Sequence, residues 1–276
     1  MEKDKKIGVA LGGGSALGFA HLGVLESLEE NNVSIDYISG TSAGAVAGVL
    51  YAFGVSFKEI EKEAEQLTWK KLAKINPSKL GVASNVAIRE ILERQIGKKT
   101  NLEDAPIPLA IVTTNIDNGE KVVLKSGNAI EAVMASSCLP GLFSPVEIDK
   151  KMLVDGGIVE NVPISPLKEF GAEIIIGVNL LRHRKYEKPK SIIGVLVNSF
   201  DMINHRISAQ PKHSDANFLI EPDLSDYYMG DLKKWKQISK LGYLEMQKFV
   251  LEVRNLQRAT ASQNFFHKIK ELFLNK

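Results

Sequence analysis

The feature that most constrains the fold of this chain is a serine between two glycines. It stands where strand-like sequence changes to helix-like sequence. The stretch YISGTSAGAVAG spans residues 37–48 and contains one GxSxG motif, Gly40-Thr41-Ser42-Ala43-Gly44. Apolar residues precede the serine and small helix formers follow it, which is typical of a nucleophile elbow. The glycines relieve crowding in such a turn, and the helix N-terminus favours a developing negative charge. The pattern predicts a catalytic nucleophile at Ser42, with a close-packing turn of small residues as the alternative.

A run of glycines, Gly12-Gly13-Gly14-Ser15, follows the apolar segment 7–11. Consecutive glycines leave backbone N–H groups free to converge on an anion, either a phosphate or an oxyanion. A dinucleotide site fits poorly, because Ser15 stands where the middle glycine is expected and no acid ends the second strand. Two glycine turns on adjacent strands fit an oxyanion hole beside a nucleophile better. His21, on the helix that follows, is expected to pack or to form a hydrogen bond.

Short apolar runs alternate with helical patterns along the chain. The order strand, glycine loop, helix, strand, elbow, helix predicts a parallel α/β sheet. A strand pair is expected at 108–117 and 121–127, with its turn at Asp117-Asn118-Gly119. Further strands are expected at 152–157, 173–180 and 218–222. Residues 56–100 are expected to be largely helical and to cover the site, and residues 228–258 to be helical.

Composition and charge exclude some classes of protein. The single cysteine, Cys138, excludes an internal disulfide and fits a reducing cytoplasm. A formal net charge of +2 does not suggest a nucleic-acid partner. No apolar run reaches the length of a secretory signal or of a membrane span. We therefore expect a cytoplasmic protein whose contact with membranes, if any, is peripheral.

The base that would activate Ser42 has two sets of candidates. An α/β-hydrolase places a histidine downstream of its serine, and the downstream histidines here are His183, His205 and His213. None has a convincing sequence context, because they are expected in a basic loop, a helical stretch and a polar turn respectively. Ser42 also follows the second strand, which is early for that fold. The other candidate is Asp155, which ends a strand directly before two glycines and which could instead cap the strand through an Asx turn. An aspartate has an ordinary pKa near 4, so Asp155 would need partial burial to become an effective base.

Three motifs, in their order along the chain, resemble those of the patatin-like phospholipases. They are GGGS…G at 12–18, GTSAG at 40–44 and DGG at 155–157. Longer stretches are similar as well, and the likeness covers residues 7–181 and continues more weakly to about 224. It implies a patatin-type three-layer α/β/α sandwich with a mainly parallel central sheet, plus C-terminal helices. Residues 1–224 would be the catalytic domain, with its motif-bearing core at about 7–168, and residues 225–276 a helical extension.

The resemblance also implies chemistry. The activity would be lipid acyl hydrolysis of the phospholipase A, lysophospholipase or esterase type, through a Ser–Asp dyad and an acyl-enzyme intermediate. Ser42 would be the nucleophile, Asp155 the general base, and the amides of Gly13, Gly14 and Ser15 the oxyanion hole. The remaining motif glycines are Gly12, Gly18, Gly40, Gly44, Gly156 and Gly157. The substrate would be a phospholipid or another acyl-ester lipid, with neither a metal nor a cofactor at the dyad and no nucleic acid.

One departure keeps a second function open. The family usually has Arg or Lys immediately before the last glycine of its first motif, and Leu17 stands there, while Ser15 replaces a frequent glycine. The backbone role of the loop survives both changes, but a cation near the site is lost. A catalytically weak or inactive lipid- or protein-binding regulator is therefore the alternative to an enzyme.

Contact with lipid is expected after the strand at 173–180. If that strand is parallel to the first two, the next loop opens on the same sheet edge as the site. We hypothesise that its cations attract anionic headgroups, and a solvated basic loop is the alternative; the cations are Arg182, Arg184, Lys185, Lys188 and Lys190. An amphipathic helix closes the chain, with Phe265, Phe266, Ile269, Leu272 and Phe273 on one face, and we expect it to pack on the domain rather than to lie on a membrane.

Overall fold

The computed structural model describes residues 4–72, 74–75, 80–183, 186, 188–208 and 215–258. Its strands are β1 (Ile7–Leu11), β2 (Tyr37–Gly40), β3 (Lys74–Ile75), β4 (Gly81–Ser84), β5 (Leu109–Asn115), β6 (Lys121–Leu124), β7 (Gly141–Phe143), β8 (Val146–Ile148), β9 (Lys151–Asp155), β10 (Ile174–Val178) and β11 (Phe218–Ile220). Its helices are α1 (Phe19–Glu30), α2 (Ala43–Ala52), α3 (Phe57–Gln66), α4 (Trp69–Leu72), α5 (Val86–Ile96), α6 (Ala129–Ser136), α7 (Ser165–Phe170), α8 (Ile192–Ser208), α9 (Trp235–Gln247) and α10 (Val250–Arg258).

The central sheet is mainly parallel. Its strand order is β11-β10-β1-β2-β5-β9-β8, with β6 also paired to β5. The strands from β11 to β5 run parallel, whereas β6 and β9 pair with β5, and β8 with β9, in the antiparallel sense. Because β1, β2 and β10 are parallel, the loops that follow them open on one edge of the sheet, as predicted.

Both faces of the sheet are buried, which makes the fold a three-layer sandwich. Successive side chains of a strand point to opposite faces. Along β1, Ile7, Val9 and Leu11 join the larger apolar cluster with α1 and α2, whereas Ala10 joins a smaller cluster with Leu167 of α7. The predicted three-layer α/β/α architecture with a mainly parallel sheet is therefore confirmed.

Most of the predicted elements are present. β1, β2, β5, β6, β9, β10 and β11 lie where strands were expected, and Gly119, with φ of 76°, forms the turn between β5 and β6. The prediction of a helical segment at 56–100 was incomplete, because β3 and β4 lie between its helices. β7 and β8 were not identified either, and of α8 only the helical stretch around His205 was expected. The predicted terminal helix, with Phe265 to Phe273, lies outside the described residues.

The described part of the C-terminal extension packs on α1. A Cβ atom at Gly23 of α1 would lie 1.9 Å from the Ser239 carbonyl oxygen, and one at Gly242 of α9 2.0 Å from the Ala20 carbonyl oxygen. Glycine at these positions lets the two helix backbones come this close. Ile238 and Met246 of α9 belong to the same apolar cluster as β1. The boundary at residue 224 stays a prediction, and we propose that α9 and α10 stabilise the sheet that precedes them.

Candidate active site

Ser42 occupies a strained turn between β2 and α2. Its φ and ψ are 54° and −120°, a conformation that a residue with a side chain rarely adopts. The side chain is half-buried and lines a cavity, and Ser42 is the N-cap of α2. The turn therefore presents the hydroxyl to a ligand at the positive end of a helix, as the elbow motif predicts.

Hydrogen bonds from distant segments hold the backbone of Ser42. Its N–H donates to Ser136 Oγ at 2.9 Å, and that hydroxyl donates to the Val112 carbonyl oxygen at 2.7 Å. On the preceding residue, Thr41 Oγ1 donates to the Glu160 carbonyl oxygen at 3.0 Å. The last residue of α6 thus links the strained turn to β5, and no sequence motif pointed to Ser136.

The glycine loop lies directly against Ser42. A Cβ atom at Gly13 would lie 3.3 Å from Ser42 Cβ and 2.7 Å from Asn161 Oδ1, so a side chain there would fill the space around the nucleophile. The other motif glycines would each place a Cβ within 2.8 Å of a neighbouring atom; they are Gly12, Gly18, Gly40, Gly44, Gly156 and Gly157. Their sequence positions are therefore explained by close approach of the surrounding chain.

The amides of this loop differ in what they contact. The Gly12 N–H donates to the Val178 carbonyl oxygen at 3.1 Å, and the Gly13 N–H donates to the Asn161 carbonyl oxygen at 3.2 Å. The N–H groups of Gly14 and Ser15 have no acceptor among the described residues. Of the three amides predicted to bind an oxyanion, these two are free to do so in the present conformation.

His21 supports the loop from beneath. Its Nε2 lies 2.7 Å from the Gly12 carbonyl oxygen, and its side chain is fully buried. Burial lowers the pKa of His21 to about 4, against the opposing effect of the hydrogen bond to Gly12. The imidazole is therefore neutral near pH 7 and donates from Nε2 to Gly12. The predicted packing or hydrogen-bonding role is confirmed.

Asp155 lies at the end of β9 and is fully buried. Its N–H donates to the Cys138 carbonyl oxygen at 3.0 Å, and its carbonyl oxygen accepts from Thr114 Oγ1 at 2.9 Å. Its Oδ1 accepts from the Gly157 N–H at 2.9 Å. Its Oδ2 has no hydrogen bond of 3.5 Å or less to a described residue, which leaves this oxygen available as a proton acceptor.

Burial raises the pKa of Asp155 to about 7 from its ordinary value of 3.8. A hydrogen-bonding interaction with the Ser42 side chain and the bond from Gly157 oppose this rise and lower the pKa in part. Oδ2 forms no well-aligned hydrogen bond to a described residue in the present conformation, and catalytic hydrogen bonds are often long or poorly aligned without substrate. A carboxylate with a pKa near neutrality is a far better base than an exposed aspartate.

We expect the Asp155→Asn variant to be more stable than wild type, increasingly so as pH rises. Between pH 3.8 and about 7 the folded chain keeps a proton that the unfolded chain has released, so the free energy of unfolding falls as pH rises. Asparagine does not ionise, so the variant's advantage should grow by as much as about 3 kcal/mol between roughly pH 5 and pH 8. Thermal or denaturant unfolding at both pH values measures this difference.

The exposed Asp117→Asn variant controls for the loss of one negative charge. Its effect on the free energy of unfolding should change by less than about 0.5 kcal/mol between roughly pH 5 and pH 8. A constant difference in stability between wild type and Asp155→Asn at the two pH values would contradict the raised pKa.

A cavity of about 870 Å³ opens above Ser42. Gly14 and Ser15 line it together with Ser42, and most of the lining is apolar. Its walls come from α2, α3, α5 and α8, so the helical segment 56–100 covers the site as predicted. Asp155 does not line the cavity but lies behind the serine. Ser42 is therefore accessible to a ligand, whereas Asp155 is shielded from water.

The remaining predicted residues lie around this cavity or away from it. Lys188 and Lys190 line the cavity, and Arg182 Nε lies 3.8 Å from Glu221 Oε2. Arg184, Lys185 and His213 are outside the described residues. His183 is exposed, and His205 Nδ1 lies 3.2 Å from the Tyr186 hydroxyl. Among the described lining residues there is no histidine.

Leu17, at the position where a cation was expected, is fully buried in the main apolar cluster. Its N–H donates to the Gly14 carbonyl oxygen at 3.0 Å, which helps to close the glycine loop. A leucine here therefore contributes to packing beneath the loop and leaves the loop's backbone conformation intact.

Comparisons with known proteins agree with this architecture. Residues 9–168, more than half of the chain, match the protein family described as Patatin-like phospholipase. An NTE family protein of Mycobacterium tuberculosis is 33% identical over 177 residues, which are 63% of this chain and 49% of that protein. The lysophospholipase NTE1 of Pyricularia oryzae is 32% identical over 184 residues, which are 64% of this chain and 12% of that protein.

The chain thus spans about half the length of the mycobacterial relative and a small part of the fungal one. Among solved structures, VipD from Legionella pneumophila superposes with a TM-score of 0.57 at 15% sequence identity. The superposition covers 91% of this chain and 67% of VipD. A likeness at this level of identity supports the fold.

Proposed function

This chain belongs to the patatin-like phospholipase family, and on that premise we propose that it hydrolyses acyl esters of lipids through Ser42 and Asp155. The observation that carries the proposal is the pairing of a strained, accessible serine with a buried aspartate whose pKa is about 7. Ser42 lines a largely apolar cavity, which suits an ester with a long acyl chain, and Asp155 is buried outside that cavity.

The proposed reaction has an acylation half. Asp155 accepts the proton of the Ser42 hydroxyl as Ser42 Oγ attacks the carbonyl carbon of the ester. The negative charge on the carbonyl oxygen is stabilised by the amides of Gly14 and Ser15 and by the N-terminus of α2. The intermediate then releases the alcohol, which takes the proton from Asp155, and the acyl group stays on Ser42.

In the deacylation half, water attacks the acyl-enzyme and Asp155 accepts the proton of that water. The second tetrahedral intermediate collapses, Ser42 regains its proton, and the fatty acid leaves. His21 acts in both halves as a positioning residue, because it holds the Gly12 carbonyl and with it the glycine loop. A single carboxylate thus serves both steps, as a dyad without histidine requires.

The substrate class is a phospholipid or a lysophospholipid, the latter being named in the fungal relative. Release of fatty acid from lysophosphatidylcholine micelles and from phosphatidylcholine vesicles tests this proposal, with a soluble short-chain ester as a third substrate. We expect hydrolysis of a lipid substrate by wild type. Hydrolysis of the soluble ester alone would overturn the lipid assignment, and no hydrolysis of any ester would favour the binding regulator.

We propose further that the protein works in the cytoplasm at the surface of a membrane. None of the described helices has the length and apolarity that a membrane crossing needs. Lys188 and Lys190 line the cavity and are exposed, so they lie where a lipid headgroup would stand. Each basic residue close to an anionic membrane contributes about 1 kcal/mol of binding energy.

We expect replacement of Lys188 and Lys190 by glutamine to weaken binding to anionic vesicles about tenfold at low salt. Hydrolysis of a soluble ester should change little, because neither lysine contacts the dyad. The matched control is Lys98→Gln with Lys99→Gln, an exposed pair of lysines at the end of α5. An equal loss of vesicle binding and of soluble-ester hydrolysis would contradict the headgroup role.

A further inference from the structure

Helix α8 turns one face towards the cavity and the opposite face, which is largely apolar, towards solvent. With 100° between successive residues, the side chains at 194, 197, 201 and 204 lie on one face and those at 192, 195, 199 and 203 on the other. The first face points inward, where Gly194, Val197 and Asn204 line the cavity and Asp201 is buried. Apart from the exposed Ser199, the opposite face carries large apolar residues in the place where a surface helix normally carries polar ones.

We call these exposed residues the outer stripe, and they are Ile192, Val195, Leu196, Met202 and Ile203. Their exposed fractions are 81%, 50%, 39%, 45% and 48% respectively. Single exposed apolar residues are common on soluble proteins, whereas a contiguous stripe marks an interaction surface.

The outer stripe contacts a second, three-stranded sheet that is formed by β3, β4 and β7. Leu196 Cδ1 lies 3.7 Å from the place of a Cβ at Gly141 in β7, and Gly141 pairs with Gly81 in β4. The two neighbours of Gly81, Leu80 and Val82, are 56% and 43% exposed, and Val82 also lines the cavity. The apolar surface therefore borders the cavity that holds Ser42.

The charges around α8 are complementary to an anionic surface. Lys188 and Lys190 precede the helix, Arg206 lies in its last turn, and all three are exposed. Asp201, the acid within α8, is fully buried. A helix with an exposed apolar stripe and cations at its ends suits the interface between headgroups and acyl chains.

We propose that the outer stripe of α8 rests in the surface of an anionic phospholipid bilayer, beside the mouth of the catalytic cavity. The bilayer then covers apolar side chains that water would otherwise contact, and the cavity opens towards the lipid. The reading of the cavity as a lipid entrance rests on the proposed function, whereas the binding of α8 to a bilayer does not depend on catalysis.

The test compares two double variants that each replace two exposed aliphatic residues by glutamine. The test variant is Ile192→Gln with Ile203→Gln, on the outer stripe. The control is Leu244→Gln with Leu251→Gln, on α9 and α10, where the exposed fractions are 49% and 59%. Cosedimentation with phosphatidylcholine vesicles that contain a minority of phosphatidylglycerol measures binding.

The test variant lacks two aliphatic side chains that the bilayer would bury, so its vesicle binding should be at least about tenfold weaker than that of wild type. The control should stay within about twofold of wild type. Both variants should unfold at temperatures close to that of wild type and hydrolyse a soluble ester at a similar rate. Ser42→Ala should bind vesicles as wild type does, so a failure of the proposed catalysis would leave this measurement intact.

Three results would overturn the proposal. The first is wild type that does not sediment with the vesicles, and the second is equal binding by the test variant and the control. The third is a wild-type dimer that the test variant converts to a monomer while vesicle binding is unchanged, because the outer stripe would then be covered by a second copy of the chain.

Discussion

The Ser42→Ala variant should lose ester hydrolysis by at least about a thousandfold, the scale on which other serine hydrolases lose activity without their nucleophile. The acyl group would have no oxygen to which it could be transferred, and the loss should appear in kcat. Alanine keeps the Cβ atom and the backbone N–H that donates to Ser136, so the strained turn should persist. Initial rates with a soluble ester measure the loss without any contribution from membrane binding.

A second serine of the same cavity provides the control. Ser191 lines the cavity, and its Oγ accepts from the Gly194 N–H at 3.1 Å. The Ser191→Ala variant should keep the rate within about twofold of wild type, the range of a surface substitution. If Ser42→Ala retained more than a tenth of the wild-type rate, with its fold intact, Ser42 would not be the nucleophile.

The Asp155→Asn variant should lose about 100- to 10,000-fold in kcat/KM near pH 8, the range that general base catalysis contributes. Asparagine matches the shape of aspartate and still accepts from Gly157, so the loss would reflect the missing base. In wild type the deprotonated carboxylate is the active form, and its pKa is about 7. The rate should therefore rise with pH through about 7 and level off above it.

A rise near pH 7 would also fit a histidine, so the pH profile alone does not identify the base. The variants His183→Gln, His205→Gln and His213→Gln separate the two possibilities. Each should keep a rate within about twofold of wild type, and its rate should rise with pH near 7 as that of wild type does. A histidine variant that lost both the activity and its rise near pH 7 would point to a histidine-dependent esterase and would contradict the dyad.

The sequence allowed prediction of the parts of the site that short motifs encode. A strained serine needs small neighbours, and glycines at 40 and 44 make the elbow visible in the chain itself. An aspartate before two glycines is equally local. The raised pKa of Asp155 was expected only on the condition of burial, because burial depends on segments that pack around it.

Contacts between distant segments left no such signal. Ser136 lies 94 residues from Ser42 along the chain, and its role follows from the packing of α6 against β5. The bond from Gly13 to the Asn161 carbonyl is likewise a tertiary contact. β7 and β8 have three residues each, which is too short for a period of two to be recognised.

The extent of helix α8 and its two-sided packing were missed for a different reason. Its sequence, IIGVLVNSFDMINHRIS, has apolar residues on opposite faces, so no single hydrophobic stripe identifies it. The structure separates these residues into a face that lines the cavity and a face in solvent. Which of the two is inward depends on the position of the sheet and of Gly157, against which Asn204 packs.

The most direct test of the central claim is to identify the residue that a lipid-like fluorophosphonate modifies. Such a probe reacts with an activated serine and stays attached, so peptide mass spectrometry locates it. We predict an adduct on the peptide that contains Ser42, formed slowly by Asp155→Asn and absent from Ser42→Ala. An adduct on another residue, or an unlabelled protein that still hydrolyses lipid esters, would contradict the Ser42–Asp155 dyad.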